Sequence, residues 1–599
     1  MQRSPGSVHT RPMRLVTALR GLILLVLAGV VVWTGLTWGN RGKPQAAITM
    51  TTPGAPVPGP EPVVDQSDRF QANGTREGRP AFDLLAQTVT GFQGDRKVLQ
   101  DVQLTVHEDS GGLIQVASQQ GQFDPGARRA QLSRNVAIRT PDGLSLETGE
   151  LSYDSDRDII HTGDAIRFEL GRIEGSGQGM NYLVNERQIK IASRVSLTIT
   201  PEDGGPPVRI TAGSLVASLQ DNSAVFTEAT VLERGPDRLS GHYLKVVLDE
   251  KRERVKDIRS FGDVTVTLGP NASGQTSELK ADSLTLSLGP GDTVETAEAS
   301  GGCRFASGPY IATGRAALFR RADDRLELRG DPVVLTDRER IAAQEIDLRP
   351  AAQALEARGD VRTVSTGEVR AASPGFGTAS PVSFQAARLV AEQAARRAVY
   401  SGAARAWQEG LSVQAEEIVV DEAARKLLAT GNVMSRMTQR PAPSAGAGAR
   451  PVTTTITARR LSVDEASGTA RYEDDARLTR PDASLTAAVM TVHAKDVGRR
   501  REVERIDAEG SVSVKHGGSL ATASTAEFRC AQHLLILRDD QGLAEVVDAA
   551  TGHAMRGREL TYDLNGERIL TETSEGARTW ITLTPEGKDG PSLEPQTRH

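Results

Sequence analysis

The stretch LSLETGELSYDSDRDIIHTGDAIRFEL, residues 144–170, decides the fold that the sequence predicts. Apolar and polar residues alternate up to Asp154, a turn rich in Asp and Ser continues to Asp158, and a second alternation runs into a Gly163-Asp164 step. Alternation with a period of two is typical of strands with one buried face, and clusters of Asp, Ser and Gly are typical of tight turns. The stretch therefore predicts successive strands joined by a tight turn and a Gly-Asp corner.

This unit recurs, with variation, almost to the C-terminus. Residues 102–124 show two alternating strands around a turn at Asp109–Gly112, and residues 173–199 place Tyr182 where Tyr153 stood. A strand-turn-strand repeat predicts a stacked β architecture, because one unit cannot bury its own apolar face. The Gly of each corner is expected to adopt a positive φ. The corner recurs at Gly262-Asp263, Gly330-Asp331, Gly359-Asp360, Gly431-Asn432 and Gly510-Ser511, and the intervals 330–359 and 402–431 are both 29 residues.

The middle of the chain has a composition that also suits helices. Residues 384–428 are rich in Ala, Arg and Glu, which are good helix formers. Residues 411–433, however, keep the order of strand, acidic turn, strand and Gly. We interpret the segment as more sheet.

Composition excludes some classes of protein. The chain has 599 residues with 71 basic and 77 acidic side chains, a net charge of −6, which argues against a nucleic-acid-binding surface. Its two cysteines, Cys303 and Cys530, are distant in sequence and are interpreted as small buried apolar residues without a disulfide.

The N-terminus predicts export. Residues 15–38 are almost uncharged and long enough for one transmembrane helix, with arginines such as Arg14 before it indicating a cytoplasmic N-terminus. A cleaved signal peptide is the alternative, and both interpretations export the rest of the chain. Residues 39–80 are interpreted as a Pro-rich spacer, with ordered structure beginning near Phe82.

Catalytic motifs are not found. Ser277 and Lys280 fit a Ser-x-x-Lys pattern but stand at the start of a predicted strand without partner motifs, and acidic pairs such as Asp474 and Asp475 fall at predicted turns. We therefore expect no catalytic residues, no metal site and no cofactor. An enzyme with carboxylates on one face of the β array is the alternative.

The N-terminal span, the spacer and the sequence "strand, Leu-x-Tyr-Asp, turn, strand, Gly-Asp-x-Ile" resemble the LptC family of lipopolysaccharide export proteins. The later Gly-Asp-Val repeats resemble LptA or OstA-like domains. The resemblance implies an all-β, elongated β-jellyroll or β-taco, in which a folded-over antiparallel sheet follows one transmembrane helix. The domains implied are 1–14 cytoplasmic, 15–38 membrane anchor, 39–80 linker, 81–205 LptC-like, 206–440 and 453–585 OstA-like, 441–452 insertion and 586–599 tail.

The same resemblance implies a groove that holds the acyl chains of lipopolysaccharide. The partners implied are an inner-membrane lipopolysaccharide ABC transporter and an LptA-like or outer-membrane β-jellyroll joined by edge-to-edge strand addition. Ordinary core packing is the alternative for the groove residues, and a structural or adhesive periplasmic solenoid is the alternative for the whole chain. The candidate groove residues are Leu104, Val106, Leu146, Tyr153, Ile166, Phe168 and Tyr182.

Overall fold

The computed structural model describes most of residues 63–582 as two compact units, residues 63–326 (the N-terminal unit) and residues 327–582 (the C-terminal unit). The predicted membrane segment 15–38, the spacer up to residue 62, nearly all of the predicted insertion and the tail lie outside the described residues. Also outside them are residues 93–96, 202–204, 251–254, 271–273, 290–292, 309, 337–338, 350–351, 366–375, 377–380, 440–451, 498–499, 540–541, 549–550, 565–567 and 571–579.

The N-terminal unit is built of antiparallel strands, most of which pair with their neighbours in sequence. The strands are β1 Val63–Arg76, β2 Arg79–Phe92, β3 Lys97–His107, β4 Leu113–Asp124, β5 Arg129–Arg139, β6 Leu144–Asp154, β7 Ile159–Leu170, β8 Ile173–Leu183, β9 Gln188–Ile199, β10 Val208–Ala212, β11 Ser214–Ser218, β12 Ser223–Arg234, β13 Asp237–Leu248, β14 Val255–Leu268, β15 Ser277–Gly289, β16 Thr293–Ser307 and β17 Tyr310–Arg320.

The C-terminal unit is antiparallel in the same way, and its first strand begins two residues before the boundary. The strands are β18 Arg325–Arg329, β19 Val333–Leu335, β20 Glu339–Ala342, β21 Glu345–Arg349, β22 Ala354–Ser365, β23 Ser383–Glu392, β24 Arg397–Gln408, β25 Leu411–Asp421, β26 Lys426–Gln439, β27 Val452–Asp464, β28 Thr469–Thr479, β29 Ala483–Val497, β30 Arg500–His516, β31 Ser519–Arg529, β32 Leu534–Arg538, β33 Ala544–Asp548, β34 Ala554–Gly557, β35 Glu559–Asp563, β36 Arg568–Leu570 and β37 Trp580–Thr582.

The all-β prediction is confirmed for the described residues, including the Ala-, Arg- and Glu-rich middle, which forms β23, β24 and β25. Alternation of buried and exposed side chains along these strands decides the outcome against helix propensity, because each strand can bury one face in the sheet. Within the described ranges there is no helix with the length and apolar character needed to cross a bilayer.

The start of ordered structure was predicted one strand too late. β1 covers residues that the sequence placed in the spacer, and it pairs along its length with β2. Its side chains are mostly exposed on both faces, with Val63 and Val64 57% and 69% exposed. A strand at a sheet edge with two solvated faces has no period-two signal, so pattern alone could not find it.

Most strands bend near their middle at a two-residue bulge. In β14, Gly262 and Asp263 have φ values of +79° and +49°. They oppose the single residue Asp282, because the pairing passes from Phe261–Ser283 to Val264–Ala281. Such a bulge bends a strand and increases its twist. The predicted positive φ is confirmed at the glycines of the other four recurrent corners, Gly330, Gly359, Gly431 and Gly510.

Two sequence predictions about these bends are wrong. The step at Gly163 and Asp164 does interrupt the pairing of β7, yet neither residue has a positive φ. Asp474 and Asp475 were placed in a turn, but they lie inside β28 with φ values of +64° and +61°. Asp tolerates the left-handed region better than most residues, so a bulge can form there without Gly.

The bulges divide each unit into two arms. In the N-terminal unit the first arm carries the turns 108–112 and 140–143, and the second arm carries the turns 155–158 and 184–187. In the C-terminal unit the first arm carries the turns 409–410 and 517–518, and the second arm carries 393–396 and 465–468. Each strand thus contributes one half to each arm.

The two cysteines are free, as the sequence predicted. Cys303 is buried, and its thiol donates to the backbone carbonyl of Arg315 over 3.7 Å. Cys530 is only half-buried. Burial raises the pKa of both thiols, so neither is an activated nucleophile.

A corner Gly is required at Gly402 for two separable reasons. Its φ is +82°, and a Cβ there would lie 2.7 Å from the Cβ of Ala387. We expect Gly402→Ala to destabilise the C-terminal unit by about 2–4 kcal/mol, from left-handed strain and overpacking together. Adding Ala387→Gly should recover the stability lost to overpacking but not the stability lost to the left-handed backbone strain. Thermal unfolding of the four variants in this cycle measures both parts, and an additive cycle would contradict the contact.

The outer face of the C-terminal unit carries ion pairs between neighbouring strands. Glu527 accepts from Arg529 at 2.7 Å and from Arg538 at 3.3 Å, and Arg538 also pairs with Glu559 at 2.9 Å. The hydrogen bond from Arg529, with that from Arg538, lowers the pKa of Glu527 below its ordinary 4.5 against the opposing effect of burial. The pairs therefore favour the ionised carboxylate in the folded state.

Stability should follow this titration. The contribution of Glu527 is present above the unfolded pKa near 4.5 and is lost as the pH falls through the lower folded pKa. We expect wild type to be more stable than Glu527→Gln at about pH 6, with the difference in Tm shrinking toward about pH 3. A constant difference across that range would contradict the ion-pair account.

Candidate functional site

One face of the first arm of the N-terminal unit is lined by an unbroken row of apolar residues. Each member is the direct cross-strand partner of the next, from β2 to β17. The row is Leu84, Leu104, Val116, Ile138, Leu146, Phe168, Gly175, Leu197, Ile210, Leu232, Leu239, Val266, Leu279, Phe305 and Ala312.

The second arm of this unit carries a matching row. It is also continuous by direct pairing, and it begins at β4. The row is Phe123, Ala130, Tyr153, Ile160, Tyr182, Ile189, Ala217, Ala224, Val246, Ile258, Leu286, Ala297 and Phe319. We call the inner faces that carry these rows, together with the space between them, the groove.

The structure brings the seven predicted groove residues together on this inner face. Leu104, Leu146 and Phe168 belong to the row of the first arm, and Tyr153 and Tyr182 belong to the row of the second arm. Val106 and Ile166 lie two positions from Leu104 and Phe168 on the same strands, and so point to the same face. Six of the seven are at most 2% exposed, and Phe168 is half-buried. Whether they bind a ligand stays a prediction.

Aromatic contacts close the N-terminal end of the groove. The ring of Phe82, on the first arm, lies 5.9 Å from the rings of Phe123 and Tyr153, on the second arm. Phe123 also meets Phe70 of β1 at 6.3 Å. Because these residues come from strands that are not neighbours, the two arms face each other and pack together here.

Polar contacts join the tips of the same two arms. The Tyr182 hydroxyl donates to Glu108 at 3.3 Å, and the backbone N–H of Asp109 donates to the side-chain carbonyl of Asn185 at 3.1 Å. Arg187 forms an ion pair and hydrogen bond with Asp142.

A further ion pair, between Arg76 and Asp158 at 2.9 Å, ties the β1–β2 turn to the second arm. We call these four contacts the tip latch.

The protonation states of Arg187 and Tyr182 favour the contacts of the tip latch. The hydrogen bond with Asp142 raises the pKa of Arg187, and burial raises the pKa of Tyr182. Burial also raises the pKa of Asp158, while the hydrogen bond and charge of Arg76 oppose that rise. The arginines therefore stay charged and the Tyr182 hydroxyl stays protonated as a donor.

Sequence reasoning missed the tip latch. Its contacts join residues 45 to 82 positions apart that all lie at or beside turns, where charged residues are expected in any case. The available signal was the pair of inward tyrosines, Tyr153 and Tyr182, because a buried tyrosine hydroxyl usually requires a partner. That partner could be identified only once the arms were seen to face each other.

The row of the first arm is less tightly covered away from the latch. Its members from Leu84 to Leu146 are at most 3% exposed, whereas Phe168, Leu232, Val266 and Leu279 are only half-buried. The latched end of the groove is therefore filled by its own side chains. Partly accessible apolar positions occur on later strands, between members such as Ile210, Leu239 and Phe305 that are still buried.

The inner faces of the C-terminal unit also carry two rows of directly paired residues, one on each arm. The first-arm row is Val334, Ile341, Thr363, Phe384, Ala406, Val413, Ser435, Ile456, Leu478, Leu485, Val514, Ala521, Val546 and Met555. The second-arm row is Ile346, Ala357, Leu389, Tyr400, Ile418, Ala429, Leu461, Tyr472, Met490, Ala508, Ala526, Leu537 and Leu560.

The metal-ligand and Ser-x-x-Lys patterns can be checked in the part of the chain that the structure describes. No group of three or more His, Cys, Asp or Glu side chains there could hold a metal ion. Ser277 hydrogen-bonds to Ser307 at 2.8 Å, while Lys280 pairs with Glu278 at 2.8 Å. Both residues of the Ser-x-x-Lys pattern therefore have structural partners.

Breaking the tip latch should expose the groove. We expect Arg187→Ala to raise the maleimide labelling rate of a thiol placed at Leu146, because the arms can part more often once the ion pair is lost. Cys303 and Cys530 are replaced by Ala in every variant. The matched control is Arg129→Ala, because Arg129 pairs with Asp154 at 2.9 Å within one arm. Equal rates in both variants would count against a latch.

Known proteins resemble two parts of the chain. Residues 22–200 match the family described as "Lipopolysaccharide-assembly, LptC-related", and residues 455–568 match "LptA/(LptD N-terminal domain) LPS transport protein". No curated protein matches the chain. One similar solved structure is that of LptH from Pseudomonas aeruginosa, titled the LptA homologous periplasmic component of the conserved lipopolysaccharide transport device; it is 17% identical, with a TM-score of 0.20, over 22% of this chain and 95% of that one. The chain thus carries an LptC-like region with an LptA-like region fused C-terminal to it.

Proposed function

We propose that this protein is a membrane-anchored periplasmic component of lipopolysaccharide export. In this proposal the groove binds the acyl chains of lipopolysaccharide and passes them from an inner-membrane ABC transporter toward the outer membrane. The protein shields the chains without a covalent step or cofactor, and a separate partner hydrolyses ATP. Residues 15–38 would supply the anchor. The fused LptA-like region would extend the path within the same polypeptide.

The observation that carries the proposal is the continuous apolar lining of the groove. An acyl chain gains about 0.8 kcal/mol for each methylene removed from water, and it needs no directional partner. The rows consist of Leu, Ile, Val, Phe and Ala except at Gly175 and at Tyr153 and Tyr182, so nearly every strand offers a sliding chain an apolar contact. The half-buried members Phe168, Leu232, Val266 and Leu279 are the first that an entering chain would contact.

The unpaired edge of a terminal strand supports the proposed joining of partners by strand addition. Within the described residues β1 pairs only with β2, which leaves its other edge available for an added strand. At the opposite end of the chain, β36 pairs with β35 and β37 pairs with β34. An exposed edge of N–H and C=O groups can be extended by a strand of another sheet. We propose that an LptA-like or outer-membrane β-jellyroll joins in this way.

A structural or adhesive solenoid is the second candidate, and the filled, latched end of the groove is the observation that favours it. A solenoid that binds only along its outside has no need for its arms to part. The two candidates therefore differ in whether the groove interior ever contacts lipid.

Photo-crosslinking in cells distinguishes them. A photoreactive residue replacing Phe168 is expected to capture lipopolysaccharide, because that side chain lines the groove and is half-buried. The matched control replaces the neighbouring Arg167, which is exposed on the opposite face of β7. Capture from position 167 but not from position 168 would contradict the proposed groove and favour the solenoid.

A further inference from the structure

Both inner rows of the C-terminal unit are apolar except at four positions. The row of the first arm contains only Thr363 and Ser435 as polar members, and the row of the second arm contains only Tyr400 and Tyr472 with a hydroxyl. All four residues are buried, Thr363 to 2% exposure and Ser435 to 1%. Polar atoms are therefore confined to these positions along the two rows.

The four hydroxyls form two pairs between the facing inner rows of the C-terminal unit. Tyr400 on the second arm interacts with Thr363 on the first arm, and Tyr472 interacts with Ser435 in the same way. The ring of Tyr400 also stacks on Phe384 of the first arm, with centroids 4.5 Å apart and planes 9° apart. Each pair thus spans the space between the arms.

The second pair repeats the first at the same place in the fold. Ser435 follows Thr363 by 72 residues, and Tyr472 follows Tyr400 by 72 residues. The members of each type are four strand steps apart, β22 to β26 and β24 to β28, which corresponds to about 19 Å along the sheet. The polar pair is therefore a repeated feature of the inner faces of the C-terminal unit.

The hydrogen bonding of the Thr and Ser hydroxyls is incomplete. Among the described residues, neither Thr363 Oγ1 nor Ser435 Oγ has a partner that meets hydrogen-bond geometry, although each lies beside a tyrosine hydroxyl. Burial raises the pKa of Tyr400, and it raises that of Tyr472 to about 12, so both phenols stay protonated donors. A buried hydroxyl without a partner is unfavourable, and Val or Ala would fill the same space without that cost.

We propose that each pair is a subsite for an oxygen carried by an acyl chain, a hydroxyl or a carbonyl. An oxygen entering between the arms accepts from the tyrosine hydroxyl, and the Thr or Ser hydroxyl can donate to it or accept from it. The remainder of the row then contacts the methylenes. The inference rests on the proposed lipid-binding function and adds a chemical preference, for oxygen-bearing chains over plain ones.

The test compares two probes that differ by one hydroxyl. Displacement of a fluorescent fatty acid from the full-length protein in nanodiscs measures the dissociation constants of β-hydroxymyristate and myristate. We expect wild type to bind β-hydroxymyristate about three- to tenfold more tightly, the effect of one hydrogen bond. In Thr363→Val/Ser435→Ala the ratio should fall below the wild-type value, because shape is kept and the Thr and Ser hydroxyls are lost while the tyrosine hydroxyls remain. Adding Tyr400→Phe and Tyr472→Phe should bring the ratio to about one.

Controls separate the subsite from folding and from the general groove. Thr453→Val removes an exposed hydroxyl of β27 and should leave the ratio unchanged. A ratio of one in wild type, or an unchanged ratio in the double variant, overturns the subsite. If myristate still binds in that case, the proposed lipid-binding function stands without the subsite. If neither probe binds wild type, the proposed lipid-binding function itself fails, and the subsite fails with it.

Discussion

The rest of the structure depends on one constraint, that both halves of each bent strand keep their apolar side chains on the same inner face. Side chains along a strand alternate with a period of two, so a strand that keeps one inner face through a bend must shift that alternation wherever its two halves differ by an odd number of positions. In β6, for example, the buried positions pass from Leu146 and Thr148 to Leu151 and Tyr153. The bulges allow this shift, because each sets two residues of one strand against a single residue of the next before the pairing resumes. The rows therefore continue from strand to strand within each unit, and the row on the first arm of the N-terminal unit has no polar break.

Two kinds of contact then decide how the arms face each other. Apolar packing between Phe82 and Tyr153 closes one end of the N-terminal unit, and it would be lost if lipid replaced it. The tip latch adds polar contacts such as Arg187 with Asp142, which lie at the rim where water can solvate them when they open. An ion pair as solvated as Arg187 with Asp142 contributes little net free energy, about 0–1 kcal/mol. Glu108, Asp158 and Tyr182 of the latch are at most 7% exposed, so their contacts hold the arms together more strongly.

Much of the fold could be predicted from the sequence, because its signals are local. Alternation from Leu144 to Phe168 and the turn at Asp154–Asp158 were enough to predict hairpins, and Gly262 or Gly359 marked bends that require a positive φ. β1 could not be predicted, since it buries almost nothing. The inward orientation of the seven groove residues followed from the period of two, whereas their partners across the arms depend on long-range geometry that no local pattern contains.

The central claim is that the arms part to admit an acyl chain, and a distance between them tests it most directly. Spin labels at Glu147 and Lys190, exposed positions on the first and second arms, report that distance by pulsed electron paramagnetic resonance. On addition of lipopolysaccharide to the full-length protein, the distance distribution should shift to longer values. An unchanged distribution while lipopolysaccharide is bound would contradict the claim.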